Sequence, residues 1–155
     1  MLAEHCMQDW TRHHPQMFVG LILLWIGGFW ILIGYLIGLA SGWKRLSGRF
    51  RLQQTYTGPR WKWQSAQMKR FASYNNCLIL GADPMGLFLS INALFRLGHP
   101  ALFIPWNEVV VTTNDWSSAG RVEMKLGQSE QVPFRIEGLV ATQLRDAAGQ
   151  GWPMP

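Results

Sequence analysis

The run Phe18–Ala40 contains no charged residue, no proline and no Asn, Gln, Ser or Thr. At 1.5 Å per helical residue it outspans a hydrocarbon core about 30 Å thick. A helix that is apolar on every side has no place on the surface of a small soluble domain, so the sequence predicts a transmembrane helix over 17–42 rather than a buried core helix. A cleaved signal peptide is the competing reading, because Ala40-Ser41-Gly42 offers small residues to a peptidase. Against it, the run exceeds a signal core in length, and the residues before it carry Glu4 and Asp9 with Arg12 as their one Lys or Arg.

Charge then sets an expected orientation. No acidic residue lies between Asp9 and Asp83, whereas Lys44, Arg45, Arg49, Arg51, Arg60, Lys62, Lys69 and Arg70 all follow the helix. Lys and Arg near a helix end stay cytoplasmic, which predicts a short extracytoplasmic tail over 1–16 and a cytoplasmic C-terminal domain at the inner membrane. The net charge of +5 comes from this one segment, since the chain from Asp83 onward has more acidic than basic residues. Charge confined beside a bilayer disfavours nucleic acid as the partner, although Trp61 and Trp63 among cations resemble a stacking platform for single strands.

Within the apolar run, Gly20, Gly27 and Gly34 recur every seven residues and Gly34, Gly38 and Gly42 every four. A stripe without side chains lets a second helix approach, so self-association or docking on a partner helix is expected there. Glycine is also simply frequent in membrane helices. Beyond the span, Trp43, Leu46 and Phe50 alternate at helical spacing with Lys44, Arg45, Arg49 and Arg51. The pattern predicts a basic amphipathic helix over 43–56, apolar side in the inner interface and basic side toward lipid phosphates. The same charges would also serve as a plain stop-transfer signal.

From Thr57-Gly58-Pro59 the chain reads as a small β domain over 57–149. A first strand is expected at 61–68, an apolar run at Asn76–Leu80, and alternation through Leu87, Leu89 and Ile91. Asp83-Pro84-Met85-Gly86 between them has the residues of a type I turn. Ala101–Trp106 and Val109–Thr113 add two strands, with Pro105 marking an edge or bend. Val122, Met124 and Leu126, then Val132, Phe134 and Ile136, alternate with polar residues as half-buried strands do. Turns are expected at Asn114–Gly120 and Gly127–Glu130. Leu139, Val140, Leu144 and Ala147 then follow a helical period to about Ala148. The residues 150–155 read as a disordered tail.

Seven short strands closed by one C-terminal helix resemble the pleckstrin-homology-like superfold, an α+β class here with its transmembrane helix in front. Gly86-Leu87-Phe88-Leu89-Ser90, Phe95-Arg96-Leu97-Gly98-His99-Pro100 and Leu102-Phe103-Ile104-Pro105-Trp106-Asn107-Glu108-Val109 are similar to segments of uncharacterised bacterial membrane-anchored proteins with such a domain. The resemblance implies an antiparallel β-sandwich or barrel that binds lipids, peptides or proteins. It also implies that a basic loop between the first two strands, here Lys69 and Arg70 with Lys62 on the strand before, meets lipid headgroups. Fold alone does not choose among these uses.

Catalytic motifs are absent: the sequence has no phosphate loop, nucleophile elbow or paired zinc half-site. Cys6 and Cys77 fall on opposite sides of the expected membrane and cannot pair in one chain, and Cys77, in an apolar run, reads as a small buried residue. His5, Cys6, His13 and His14 gather metal-capable groups on the tail without a standard spacing. Arg96 and His99 flank Gly98 in an expected loop, where they could contact a ligand or serve the turn. The sequence thus predicts a non-enzymatic, cofactor-free, membrane-anchored binding or scaffolding module. Its expected contacts are anionic inner-leaflet lipids through Trp43, Lys44, Arg45, Arg49, Arg51, Lys62, Lys69 and Arg70, and a protein partner or a second copy. The alternative is an enzyme or ligand sensor with a pocket around Arg96, His99 and Asp83.

Overall fold

The computed structural model of the chain describes residues 15–70, 72–96, 98–114 and 120–153. Two compact units divide the chain at Gly34 and Tyr35. Helix α1 (Pro15–Ala40) occupies the first unit and continues into the second. Among the described residues it is the one helix long and apolar enough to cross a membrane, and its most apolar 18-residue window has no buried residue.

The second unit holds helix α2 (Trp43–Phe50) and strands β1 (Arg60–Met68), β2 (Ala72–Asp83), β3 (Gly86–Ile91), β4 (Leu102–Pro105), β5 (Val109–Asn114), β6 (Arg121–Leu126) and β7 (Val132–Glu137). Helix α3 (Gly138–Ala148) follows. The strands form one antiparallel sheet in the order β4-β3-β2-β1-β7-β6-β5, curled into a nearly closed barrel. The architecture is α+β, an apolar helix followed by a seven-stranded antiparallel sheet and a C-terminal helix.

Local sequence explains most of these elements. Val122, Met124 and Leu126 on β6 and Val132, Phe134 and Ile136 on β7 are all buried, with Lys125, Pro133 and Glu137 turned to solvent, as a period of two requires. Between β2 and β3 the Asp83 carboxylate accepts the amides of Met85 (2.8 Å) and Gly86 (3.0 Å), closing the tight turn. A Cβ at Gly86 would meet the Ile104 carbonyl at 2.6 Å, so glycine lets the edge strand β4 close in. In α3, Val140, Ala141, Leu144 and Ala148 form the buried face.

Strand β2 begins at Ala72, four residues before the apolar run expected from Asn76. Ala72 and Tyr74 point inward, a register shift places Asn75, Asn76 and Cys77 opposite Ser65 and turns Asn76 out to solvent, and Leu78, Leu80 and Ala82 then point inward in the same phase. Asn76, at φ 50°, takes the strained position, held by the Ser65 hydroxyl on its amide at 3.0 Å. A bulge hides the first half of a strand from a reading based on continuous alternation.

Three expected boundaries are corrected. Helix α2 ends at Phe50, not at 56, and its apolar face does not face lipid: Trp43, Leu46 and Phe50 belong to the same buried core as Leu102, Ile104, Val132 and Phe134. The Trp43 indole donates to the Pro100 carbonyl at 2.9 Å, and Leu52 donates its amide to Ala101 at 2.8 Å. The physical reason is that a barrel with two unpaired edges leaves core exposed, and an amphipathic helix covering it buries the same apolar area that lipid would have taken. The β domain therefore starts well before residue 57. Tyr56 stacks on Phe88 at 4.5 Å, so the segment approaching β1 is a strap over the outer face of β3 rather than a linker. At the other end, Trp152 packs on Trp106 at 5.2 Å and is buried, so the chain is anchored through residue 152 where a frayed tail was expected; residues 154 and 155 lie outside the described residues.

If α2 is core, its truncation should cost what core truncations cost. Leu46→Ala is expected to lose about 2–5 kcal/mol and Trp43→Ala about 3–5 kcal/mol of stability, read by thermal unfolding. A fragment 55–155 is expected to show no cooperative transition, whereas 35–155 should show one.

Candidate functional site

Strand pairing brings together cations that lie far apart in sequence. Strand β1 pairs with β7 through Met68 and Phe134, and Lys69, just past the strand, donates its amide to the Pro133 carbonyl at 3.0 Å. Pro133 is in turn paired with Lys125 on β6. Neighbouring strands sit about 5 Å apart, so Lys69 and Lys125 flank Pro133 in one row. With Arg70, Gln67, Thr112 and Arg135 they line a surface groove of about 480 Å³.

The groove is electrostatically unbalanced. Glu123, its one acid among the described residues, forms an ion pair with Arg135, whose other guanidinium nitrogen donates to the Gln67 amide oxygen at 3.2 Å. Lys69, Arg70 and Lys125 have no ion-pair partner among the described residues. Lys69 has φ 52°, a left-handed turn that swings the chain from β1 into β2. Its aliphatic stem lies over Gly42: a Cβ there would meet Lys69 Cε at 3.1 Å and Val132 Cγ2 at 3.1 Å. The cationic groove thus opens beside the point where the chain leaves α1.

The other residues expected to meet lipid are distributed differently. Trp43 is fully buried and cannot touch a membrane surface. Arg49 donates to Glu108 at 2.7 Å and lies 3.9 Å from Glu130, so its charge pins α2 to the sheet instead of facing phosphates. Lys44 donates to the Tyr35 hydroxyl at 3.1 Å while remaining exposed, and Arg45 is exposed. Arg51 is exposed, with its backbone bridged to Leu102. Lys62 lies toward the other end of β1, about 20 Å from Lys69 at the usual strand rise.

The glycine stripe is also divided. A Cβ at Gly20 or Gly27 would meet nothing within 4 Å, and Gly34 is half-buried. Gly38 and Gly42 instead face their own domain, Gly38 with its missing Cβ 3.2 Å from the His99 ring and Gly42 against Lys69 and Val132. These two glycines make room for intramolecular contacts, which corrects their expected place in a helix–helix interface.

His99 completes that contact. It is buried, with Nε2 3.1 Å from the Tyr74 hydroxyl and its ring 5.2 Å from that of Trp43. Burial pushes the Tyr74 phenol up to about 12, partly offset by the Ser41 hydroxyl hydrogen-bonded to it. Arg96, exposed, offers its carbonyl to the His99 amide at 3.0 Å. Asp83 sits nine residues beyond Tyr74 along β2, on the order of 25 Å away, with its carboxylate committed to the turn. Arg96, His99 and Asp83 therefore do not converge on one pocket, and His99 joins the helix end to the barrel.

Cys77 is half-buried, and burial raises its thiol pKa, which disfavours the thiolate. No group of three metal-capable side chains occurs among the described residues. The expected cluster at His5, Cys6, His13 and His14 lies outside them. Gln67, Thr112, Lys125 and Arg135 were not singled out from the sequence. Their only signal was a place on the wet face of an alternating strand, and their convergence depends on the β1–β7 pairing. No protein-family model, curated protein or solved structure matches the chain.

Two buried phenols give an alkaline prediction. Tyr74 and Tyr56 both titrate at about 12, chiefly through burial, against 10.0 for a free phenol. The folded state holds these protons more tightly than the unfolded chain, so stability is intact below pH 10 and falls between pH 10 and 12. Tm is expected to drop across that window, and Tyr74→Phe to flatten part of the drop.

Proposed function

We propose that the protein is a non-enzymatic, single-pass inner-membrane module whose cytoplasmic barrel binds the anionic headgroups of its own bilayer. The observation that carries this reading is the groove of Lys69, Arg70 and Lys125, three cations without ion-pair partners among the described residues, beside the end of an apolar helix long enough to span. Cations at an anionic surface contribute on the order of 1 kcal/mol each, so the three together are worth about a hundredfold in affinity. The tether raises the effective concentration of headgroups, so a groove too weak to bind lipid in solution is occupied at the membrane.

Orientation follows from the excess of Lys and Arg after the helix, with the N-terminal tail outside. A pleckstrin-homology-like assignment is supported by seven antiparallel strands ending in a helix and by the order β4-β3-β2-β1-β7-β6-β5. The separation of Asp83 from His99 disfavours the pocket that an enzyme or sensor would need.

In full-length chain reconstituted in nanodiscs, backbone amide exchange near Lys69 and Lys125 is expected to slow in anionic relative to neutral lipid. High salt should reverse the protection, and combined Lys69→Gln, Arg70→Gln and Lys125→Gln should abolish it while leaving Tm nearly unchanged. Equal exchange in both lipids would refute headgroup binding.

A further inference from the structure

Strand β1 carries a bulge whose outcome is unusual. Trp61 pairs with Leu80 and Gln64 with Leu78, so Lys62 and Trp63 together stand opposite the single residue Ile79. Trp63 takes φ 60°, and it is the bulkiest of the four non-glycine residues in the left-handed region among the described residues. A large side chain is disfavoured there, whereas Asn or Gly would fit at little cost. The strain brings no packing in return: Trp63 is 64% exposed, while its neighbour Trp61 packs against the core. The bulge is fastened by the Gln64 side chain donating to the Lys62 carbonyl at 2.9 Å.

The surroundings are cationic. Arg60 and Lys62 are exposed and have no ion-pair partner among the described residues. Asp83 is the acid nearest along the paired strand, two residues past the partner of Arg60, and its carboxylate is held by two turn amides. Trp63 lies about 20 Å along β1 from Lys69, so it does not belong to the groove beside the helix exit. A single exposed indole also removes the two-tryptophan stacking platform that Trp61 and Trp63 suggest in sequence.

We infer that the β1 bulge is a protein-docking surface, with Trp63 as its anchor and Arg60 and Lys62 as a basic rim that selects an acidic partner segment offering an apolar pocket. Bulges re-aim side chains, and tryptophan is the residue most enriched among interface anchors. An anchor held out in the free protein loses little freedom on binding, which is the use for a strained and exposed conformation. Charge complementarity identifies the partner as acidic.

Two measurements on the full chain in neutral nanodiscs test this independently of headgroup binding. Trp63→Asn removes the anchor and suits the left-handed backbone, so Tm is expected to hold or rise by about 3 °C. A fall of similar size would mean that Trp63 supports the fold, and would overturn the inference. A displayed random-peptide library selected on the same particles is expected to yield acidic peptides with apolar residues. Their binding should weaken about thirtyfold with Trp63→Asn and also weaken with Arg60→Gln and Lys62→Gln, but not with Lys69→Gln. No enrichment, peptides indifferent to Trp63, or a blue shift of Trp63 fluorescence on anionic vesicles would each overturn it, the last by making Trp63 a lipid anchor.

Discussion

The burial of Trp43, Leu46 and Phe50 is the interaction on which the rest depends. The sheet does not close, so its edges at β4 and β5 would leave apolar core open to water. Helix α2 packs along β4, and the Trp43 indole finds its acceptor on Pro100, in the segment leading into that strand. Because α2 begins three residues after α1 ends, covering the barrel also fixes where the chain beyond Ala40 enters it. Glycines 38 and 42 then admit the His99 ring and the Lys69 stem at close range. One hydrophobic insertion thus sets the domain boundary and the placement of the cationic groove.

The same insertion explains a division of labour among cations that share one sequence segment. Lys44, Arg45, Arg49 and Arg51 look equivalent along the chain. Once the apolar face of α2 is turned into the barrel, Arg49 meets Glu108 and Glu130 and becomes a clamp, while Lys44 and Arg45 stay exposed. Lys69 and Arg70 belong to another element altogether and gain their neighbour Lys125 from a third. Positive charge was visible in sequence; its allocation between structure and surface was decided by packing.

What sequence made legible follows the same physics. Strands β6 and β7 and helix α3 are legible in sequence because each has one wet and one dry face, so periodicity alone locates them. The Asp83–Gly86 turn was legible because its side chain satisfies its own backbone. The first half of β2 is hidden because polar Asn76, bulged out at a position of inward parity, interrupts the apolar pattern, and the Tyr56 strap and Trp152 anchor are hidden because neither has a period at all. The amphipathic pattern of α2 was recognised, but an apolar stripe has the same form whether it faces lipid or a barrel. Of the groove, only Lys69 and Arg70 were anticipated, because Lys125 and Arg135 reach it through long-range pairing.

The most direct measurement places the β6–β7 turn relative to the bilayer. With Cys6 and Cys77 replaced and a fluorophore attached at Ser129→Cys, the full chain would be reconstituted with headgroup-attached quenchers in anionic and in neutral nanodiscs. Strong quenching is expected in anionic lipid, weakening with salt and with loss of Lys69, Arg70 and Lys125. Equal quenching in both lipids, or none in either, would contradict a groove held against anionic headgroups.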